Sequence, residues 1–241
     1  MSLLCIGGLD PLGRAGLLAD RQACQAFGVE AQVVCSALTA QDDASCAVYP
    51  VDPAFFSEQL RVVLRTARPQ VVKVGWLSDE AQVTELLRQV GDEVELIIDP
   101  LLRTSSGVRV YQSDWSTPSY ARLLARADLL TPNLVEAREL VGGTTHDPVE
   151  LGSRLQQLGA RRVLVKGGHG EGDVLEDVLI DRDGGPHFYR HPRVPGHHRG
   201  TGCRLASACA ARRSQGATYT QAVTDAVRWL GREIQAAAAA L

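Results

Sequence analysis

The residues with most chemical potential in this chain are Arg199-Gly200-Thr201-Gly202-Cys203, which run directly into the alanine-rich segment Arg204 to Ala211. Two glycines flank a small hydroxyl residue, and the segment that follows reads as the first turns of a helix. At a helix start the backbone N–H groups have no intrahelical partner and carry the positive end of the macrodipole. Glycines let that backbone approach an anion closely, so phosphate is the natural guest. Cys203 falls where a helix N-terminal field would stabilise a thiolate, which gives an anion hole with a built-in base or nucleophile. The same residues also read as a Gly-rich turn followed by a packed cysteine.

Lysine usage supplies a second clue. Of 25 basic residues only Lys73 and Lys166 are lysines. Such a bias reserves lysine for places that want a compact ammonium. Both lie in apolar, strand-like runs, Val71-Val72-Lys73-Val74 and Val163-Leu164-Val165-Lys166. A strand end where lysine snorkels to water is the bland alternative for both; Lys166, followed by Gly167-Gly168-His169, reads as functional. The histidines at 187, 191, 197 and 198 are interrupted by Pro192 and Pro195 and lack carboxylate or thiol spacing, so they read as a locally basic loop rather than a zinc site.

The elements that must position these groups alternate. Leu3 to Ile6 reads as a buried strand, Ala15 to Phe27 as a helix, and Ala31 to Leu38 as a strand. A helix over Pro53 to Ala67 and a strand over Gln70 to Val74 follow. Then come a helix over Glu80 to Val90, a strand over Glu95 to Ile98, a helix near Pro118 to Arg126 and a short strand at Leu129-Leu130. Asn133 can cap the next helix. Residues 174–190 read as an antiparallel hairpin with a Gly turn, and Val223, Val227, Leu230 and Ile234 mark one face of a C-terminal helix. This is α/β alternation, with a largely parallel sheet covered on both faces.

Ligands of such sheets bind beyond the carboxyl ends of the strands. Gly7-Gly8-Leu9-Asp10, Thr39-Ala40-Gln41, Gly75-Trp76, Asp99-Pro100, Asn133 to Glu136 and Lys166-Gly167-Gly168 all fall at those ends, on one shared edge.

Composition sets the frame. The 241 residues, 45% hydrophobic, suffice for one large α/β domain over residues 1–241, and no repeat or long linker divides them. The net charge of −3 argues against nucleic acid as a partner. Nothing reads as a signal peptide or membrane span. The six cysteines lack C-x-x-C pairing and suit reduced thiols, so a cytoplasmic protein is expected.

Taken in order, the motifs resemble those of the ribokinase-like superfamily, and within it the hydroxymethylpyrimidine/phosphomethylpyrimidine kinases of thiamine biosynthesis. The matching pieces are Gly8-Leu9-Asp10-Pro11 with Ala15-Gly16, Ala19-Asp20, Ala37 to Gln41 and Lys73-Val74-Gly75. Asp99-Pro100 with Ser106-Gly107, Thr131 to Ala137, Lys166 to His169 and Gly200 to Cys203 complete the set, which spans nearly the whole chain. The resemblance implies a three-layer α/β/α sandwich and a kinase that uses ATP and Mg²⁺. Its acceptors would be 4-amino-5-hydroxymethyl-2-methylpyrimidine and the monophosphate of that alcohol. It implies an anion hole at Gly200, Thr201 and Gly202, with Cys203 as base. Lys166, Asn133 and Glu136 would meet ATP, and Asp99 and Glu136 would organise Mg²⁺ largely through water. Gln41 would read the aminopyrimidine edge with its acceptor and donor, while Gly8, Asp20, Trp76 and Leu101 shape the substrate pocket. Read without the resemblance, Trp76 fits the core as readily, and Gln41 a solvated loop.

The chain departs from the family pattern at four places. Leu12 and Arg14 replace a serine and a glycine, Ser105 replaces a lysine, and Arg199 replaces a histidine. Arg14 and Arg103 could supply the lost positive charge. A pyridoxal or pyridoxine kinase, or a vitamin-binding regulator without catalysis, are the rival functions, and a homodimer is left open.

Overall fold

In the computed structural model, residues 2–42, 45–102, 117–168, 172–182, 185–196 and 198–239 are described. Arg103, Ser105 to Gly107, His169, His197 and the 183–184 turn lie outside them.

Apolar runs make the central strands β1 (Leu3–Leu9), β4 (Val71–Val74), β5 (Glu95–Ile98), β6 (Leu129–Leu130) and β7 (Val163–Val165), buried on both faces for most of their length, and β2 (Ala31–Gln41) beside them is buried in part. With β3 (Cys46–Pro50), β8 (Val174–Asp181) and β9 (Gly185–Pro192) they form one sheet of order β3-β2-β1-β4-β5-β6-β7-β8-β9. The pairs from β2 through β7 are parallel, while β3 and the β8–β9 hairpin run antiparallel at the two edges. β1 continues through Gly7, Gly8 and Leu9, past the expected end at Ile6, with a register shift between the two glycines.

Alternation along the strands sends neighbouring residues to opposite faces. Leu4, Ile6, Val72, Val74, Leu96 and Ile98 pack on one side with residues of α2 (Pro53–Ala67), α3 (Glu80–Gln89), α4 (Pro118–Ala125), α5 (Leu134–Val141) and α6 (Pro148–Gln157). Leu3, Cys5, Val71, Ile97, Leu129 and Leu164 pack on the other with α1 (Gly16–Ala26), α7 (Thr201–Ser214) and α8 (Tyr219–Ala239). The result is the three-layer α/β/α sandwich expected from the sequence.

Local chemistry fixes the helix starts near the sheet edge. Asn133 accepts from Val135 N and Glu136 N at 2.9 Å, and Glu136 Oε2 accepts from Asn133 N at 2.8 Å, a reciprocal capping box for α5. α7 is built differently. Its N-cap is Gly200, in the left-handed region at φ +70°, and no side chain caps it. A Cβ there would lie 2.1 Å from the Arg14 carbonyl oxygen, so only glycine permits this approach.

Candidate active site

The carboxyl ends of the strands open into a cavity of about 580 Å³. Gly8, Asp20, Gln41, Trp76, Asp99, Leu101, Asn133, Glu136, Lys166, Gly200, Thr201, Gly202 and Cys203 all line it. The structure therefore brings together every site residue read from the sequence.

At the centre, the uncapped start of α7 faces an ion pair. Lys166 Nζ donates to Asp99 Oδ1 at 2.7 Å, and Thr131 Oγ1 donates to the same oxygen at 3.2 Å. Gly202 makes room for this pair, since a Cβ there would stand 3.0 Å from Lys166 Nζ and 3.6 Å from Asp99 Oδ2. A phosphate seated here would meet backbone N–H groups on one side and an ammonium on the other.

Burial governs the charges. It opposes ionisation of Asp99, but Lys166 and Lys73 outweigh it and hold that carboxyl below its ordinary range. Glu136 is also buried and lies near the Asp99 charge, and its pKa is pushed up to about 7 against the pull of Lys166. Burial likewise works against the Lys166 ammonium, yet Asp99 and Glu136 keep its pKa raised. Among the described residues no three acidic, histidine or cysteine groups converge as a metal cage. Hard carboxylate oxygens beside a phosphate-sized space nonetheless suit Mg²⁺ held largely through water.

The geometry corrects one expectation and excludes one alternative. Cys203, in the first turn of α7, does not gain the low thiol pKa that a helix terminus alone would give. Burial dominates and pushes it up to about 11, against the lowering effect of Lys73. Lys73 does not snorkel. Its side chain is 1% exposed, and Nζ donates to both Asp20 oxygens at 2.9 and 3.0 Å. Asp20 also accepts from Ser207 Oγ at 2.8 Å, so this carboxylate ties α1 and β4 to α7 at the cavity floor. The turn back of Lys73 needs Gly75, where a Cβ would lie 2.9 Å from Nζ.

At the acceptor end, Gly8 packs under the Trp76 ring, and Trp76 and Leu101 group with Ala37 and Val48. Gln41 closes the end of β2, and its Oε1 accepts from Arg199 Nη2 at 2.8 Å. On the β8–β9 and α8 side, Leu175, Val194, Val227, Leu230 and Ile234 add apolar lining beside Asp177, His191, Arg193 and Gln235. The sequence-marked face of α8 is thus shared between core and cavity.

Three residues to which the sequence assigns no role hold the frame. Asp10 accepts from Leu12 N, Arg14 N and Ala15 N at 3.0–3.1 Å and shapes the turn after β1. Arg204 donates to the Arg14 and Arg199 carbonyls at 2.8 and 3.1 Å, fastening that turn to α7. Asp177 accepts from Gly167 N at 2.7 Å and pairs with His191 at 3.3 Å, which fixes the loop after Lys166. Arg14 itself is exposed and does not line the cavity.

The sequence model of the phosphomethylpyrimidine kinase family matches residues 10–240. The chain belongs to that family. It is 30% identical to the hydroxymethylpyrimidine/phosphomethylpyrimidine kinase of Escherichia coli K12, over 95% of this chain and 89% of that one. It is 35% identical to the thiamine biosynthetic bifunctional enzyme TH1 of Arabidopsis thaliana, of which it spans 45%. A crystal structure of phosphomethylpyrimidine kinase from Clostridium difficile 630 superposes with a TM-score of 0.79 at 27% identity, covering 97% of this chain and 99% of that one. Pyridoxal kinase from Staphylococcus aureus, solved with AMP-PCP, gives 0.81 at 25% identity, covering 95% and 86%. The chain is accordingly a kinase of thiamine precursors, with ATP as the expected phosphoryl donor. Among the described residues no helix is long and apolar enough to cross a membrane.

Proposed function

We propose that this kinase transfers the γ-phosphoryl group of ATP to the hydroxymethyl group of 4-amino-5-hydroxymethyl-2-methylpyrimidine, and then phosphorylates the resulting monophosphate. One observation carries the reading. A single cavity is lined both by Gly8, Gln41 and Trp76 and by an uncapped helix start facing Lys166 and Asp99.

Phosphoryl transfer asks mainly for in-line positioning and charge stabilisation. The apolar lining near Leu230 would take the base of ATP, and Lys166 with the Gly200–Cys203 backbone would neutralise charge on the transferring group. Mg²⁺, when bound, would supply positive charge to offset that of the phosphates. Asp99 and Glu136 are the carboxylates that would hold its water shell. The substrate hydroxyl oxygen forms the new bond to phosphorus as the bond to ADP breaks. Its proton passes to Cys203 as the base; burial pushes that thiol up to about 11, so only a small thiolate fraction is on hand near neutral pH.

The likeness to pyridoxal kinase supports a second reading, in which the ring substrate is pyridoxal. The deciding experiment is a coupled ADP-release assay with ATP and, in turn, the pyrimidine alcohol, its monophosphate and pyridoxal. Turnover on both pyrimidines, with pyridoxal at least about 100-fold lower in kcat/KM, is expected. Turnover on pyridoxal alone would overturn the proposal in favour of the second reading.

A further inference from the structure

Gln41 is not free to present its amide either way round. Arg199 Nη2 donates to Gln41 Oε1 at 2.8 Å, while Arg199 Nη1 donates to the Asp42 carbonyl at 2.6 Å. The Cys46 thiol also points its weak donor at Oε1, from 3.9 Å. The Arg199 backbone is in turn held by Arg204, whose Nη1 donates to the Arg199 carbonyl at 3.1 Å. A guanidinium has donors and no acceptor. Whatever lies against it must be the amide oxygen, so Nε2 is forced to the other side.

We propose that Arg199 is a positioning residue that fixes the polarity of the Gln41 amide and so sets which ring edge the pocket accepts. This rests on the reading of Gln41 as the group that meets the pyrimidine. A substrate donor can displace the weak, long contact from the Cys46 thiol on Oε1, and Nε2 keeps its hydrogens. The pair therefore offers an acceptor and a donor in one fixed order. A 4-aminopyrimidine edge presents an amino donor beside a ring-nitrogen acceptor and can match that order. The 4-oxo analogue presents a ring N–H beside a carbonyl, the reverse order. The ring cannot turn over to compensate, because its hydroxymethyl group must face Cys203. An amide without Arg199 could rotate and match either edge; the held amide cannot.

The test is calorimetric titration of the 4-amino alcohol and its 4-oxo analogue into wild type, Arg199→Met, Arg199→Gln and Arg199→Lys, with thermal unfolding as a check on folding. Opposing two donors and two acceptors should give wild type a preference of about 100-fold for the amino compound. Arg199→Met removes the donors, and Arg199→Gln offers either polarity; in both the preference should fall to within about tenfold. Arg199→Lys keeps a donor and should keep most of the preference. Retention of the full preference in a folded Met or Gln variant would overturn the inference and leave the proposed substrate standing. A wild type that binds the amino compound without preferring it would do the same. A wild type that binds neither pyrimidine would overturn both.

Discussion

Glu136 offers a test of the site's electrostatics that needs no substrate. Its carboxyl is buried and is raised from the ordinary 4.5 to about 7. A raised carboxyl pKa means that the folded state holds the proton more tightly than the unfolded chain. The stabilising contribution is present in full below about pH 4.5 and is lost as pH rises through about 7. At about 1.4 kcal/mol per pH unit, the interval corresponds to an order of 3 kcal/mol. Glu136→Gln isolates this quantity. A glutamine carbonyl can still accept from Asn133 N and close the capping box, yet it carries no titrating proton. Urea unfolding of both proteins between pH 4 and 8, without nucleotide, should show similar stabilities at the acid end. Near pH 8 the variant should be the more stable by roughly 2–4 kcal/mol. Equal pH dependence in the two proteins would refute the claim that burial beside Asp99 outweighs the Lys166 charge.

Other perturbations read other parts of the site. Cys203→Ala should lower kcat by about 10²–10⁴-fold with ATP affinity kept, and should flatten the rise of rate with pH that a thiol near 11 imposes; unchanged turnover and pH profile would assign the proton elsewhere. Lys73→Met strands the Asp20 carboxylate in the core and should cost about 3–5 kcal/mol in urea unfolding, a loss partly recovered in the Asp20→Asn/Lys73→Met double variant. Gly202→Ala should displace Lys166 from the α7 start, weakening ATP binding by about tenfold in calorimetry. Its folding stability should stay within about 1 kcal/mol, because alanine suits a helix better than glycine.

Much of the fold was legible because doubly buried parallel strands are written as continuous apolar runs. The pieces that escaped have different physics. β3 lies at an edge and pairs only through β2 among the described strands; its apolar stretch, Cys46 to Tyr49, is four residues long and ends at Pro50, too short to stand out as a strand. α6 was passed over although Asp147-Pro148 is a readable start: Asp147 accepts from Val149 N at 2.9 Å and proline takes the first turn. That the candidate residues would line one cavity was legible because most of their motifs end strands on the same edge. Pairings were not. Asp20 and Lys73 are 53 positions apart, and Gln41 and Arg199 are 158 apart. The Cys203 field could be read locally, but its desolvation depends on elements packed from across the chain.

The placement of the two lysines has a physical reason in these pairings. Each of the two ammonium groups sits against a glycine that leaves space for a compact charge and little more. Gly75 would put a Cβ 2.9 Å from Lys73 Nζ, and Gly202 would put one 3.0 Å from Lys166 Nζ. A planar guanidinium is wider and directs its donors in a fixed fork, which neither space accommodates without moving the backbone. The arginines of the site instead work where a fork is useful, Arg204 on the carbonyls of Arg14 and Arg199, and Arg199 on Gln41 and Asp42. The division between the two basic residue types follows the shape of the charge each position needs. One ammonium locks the cavity floor through Asp20, and the other, held by Asp99, stands opposite the helix start that awaits phosphate.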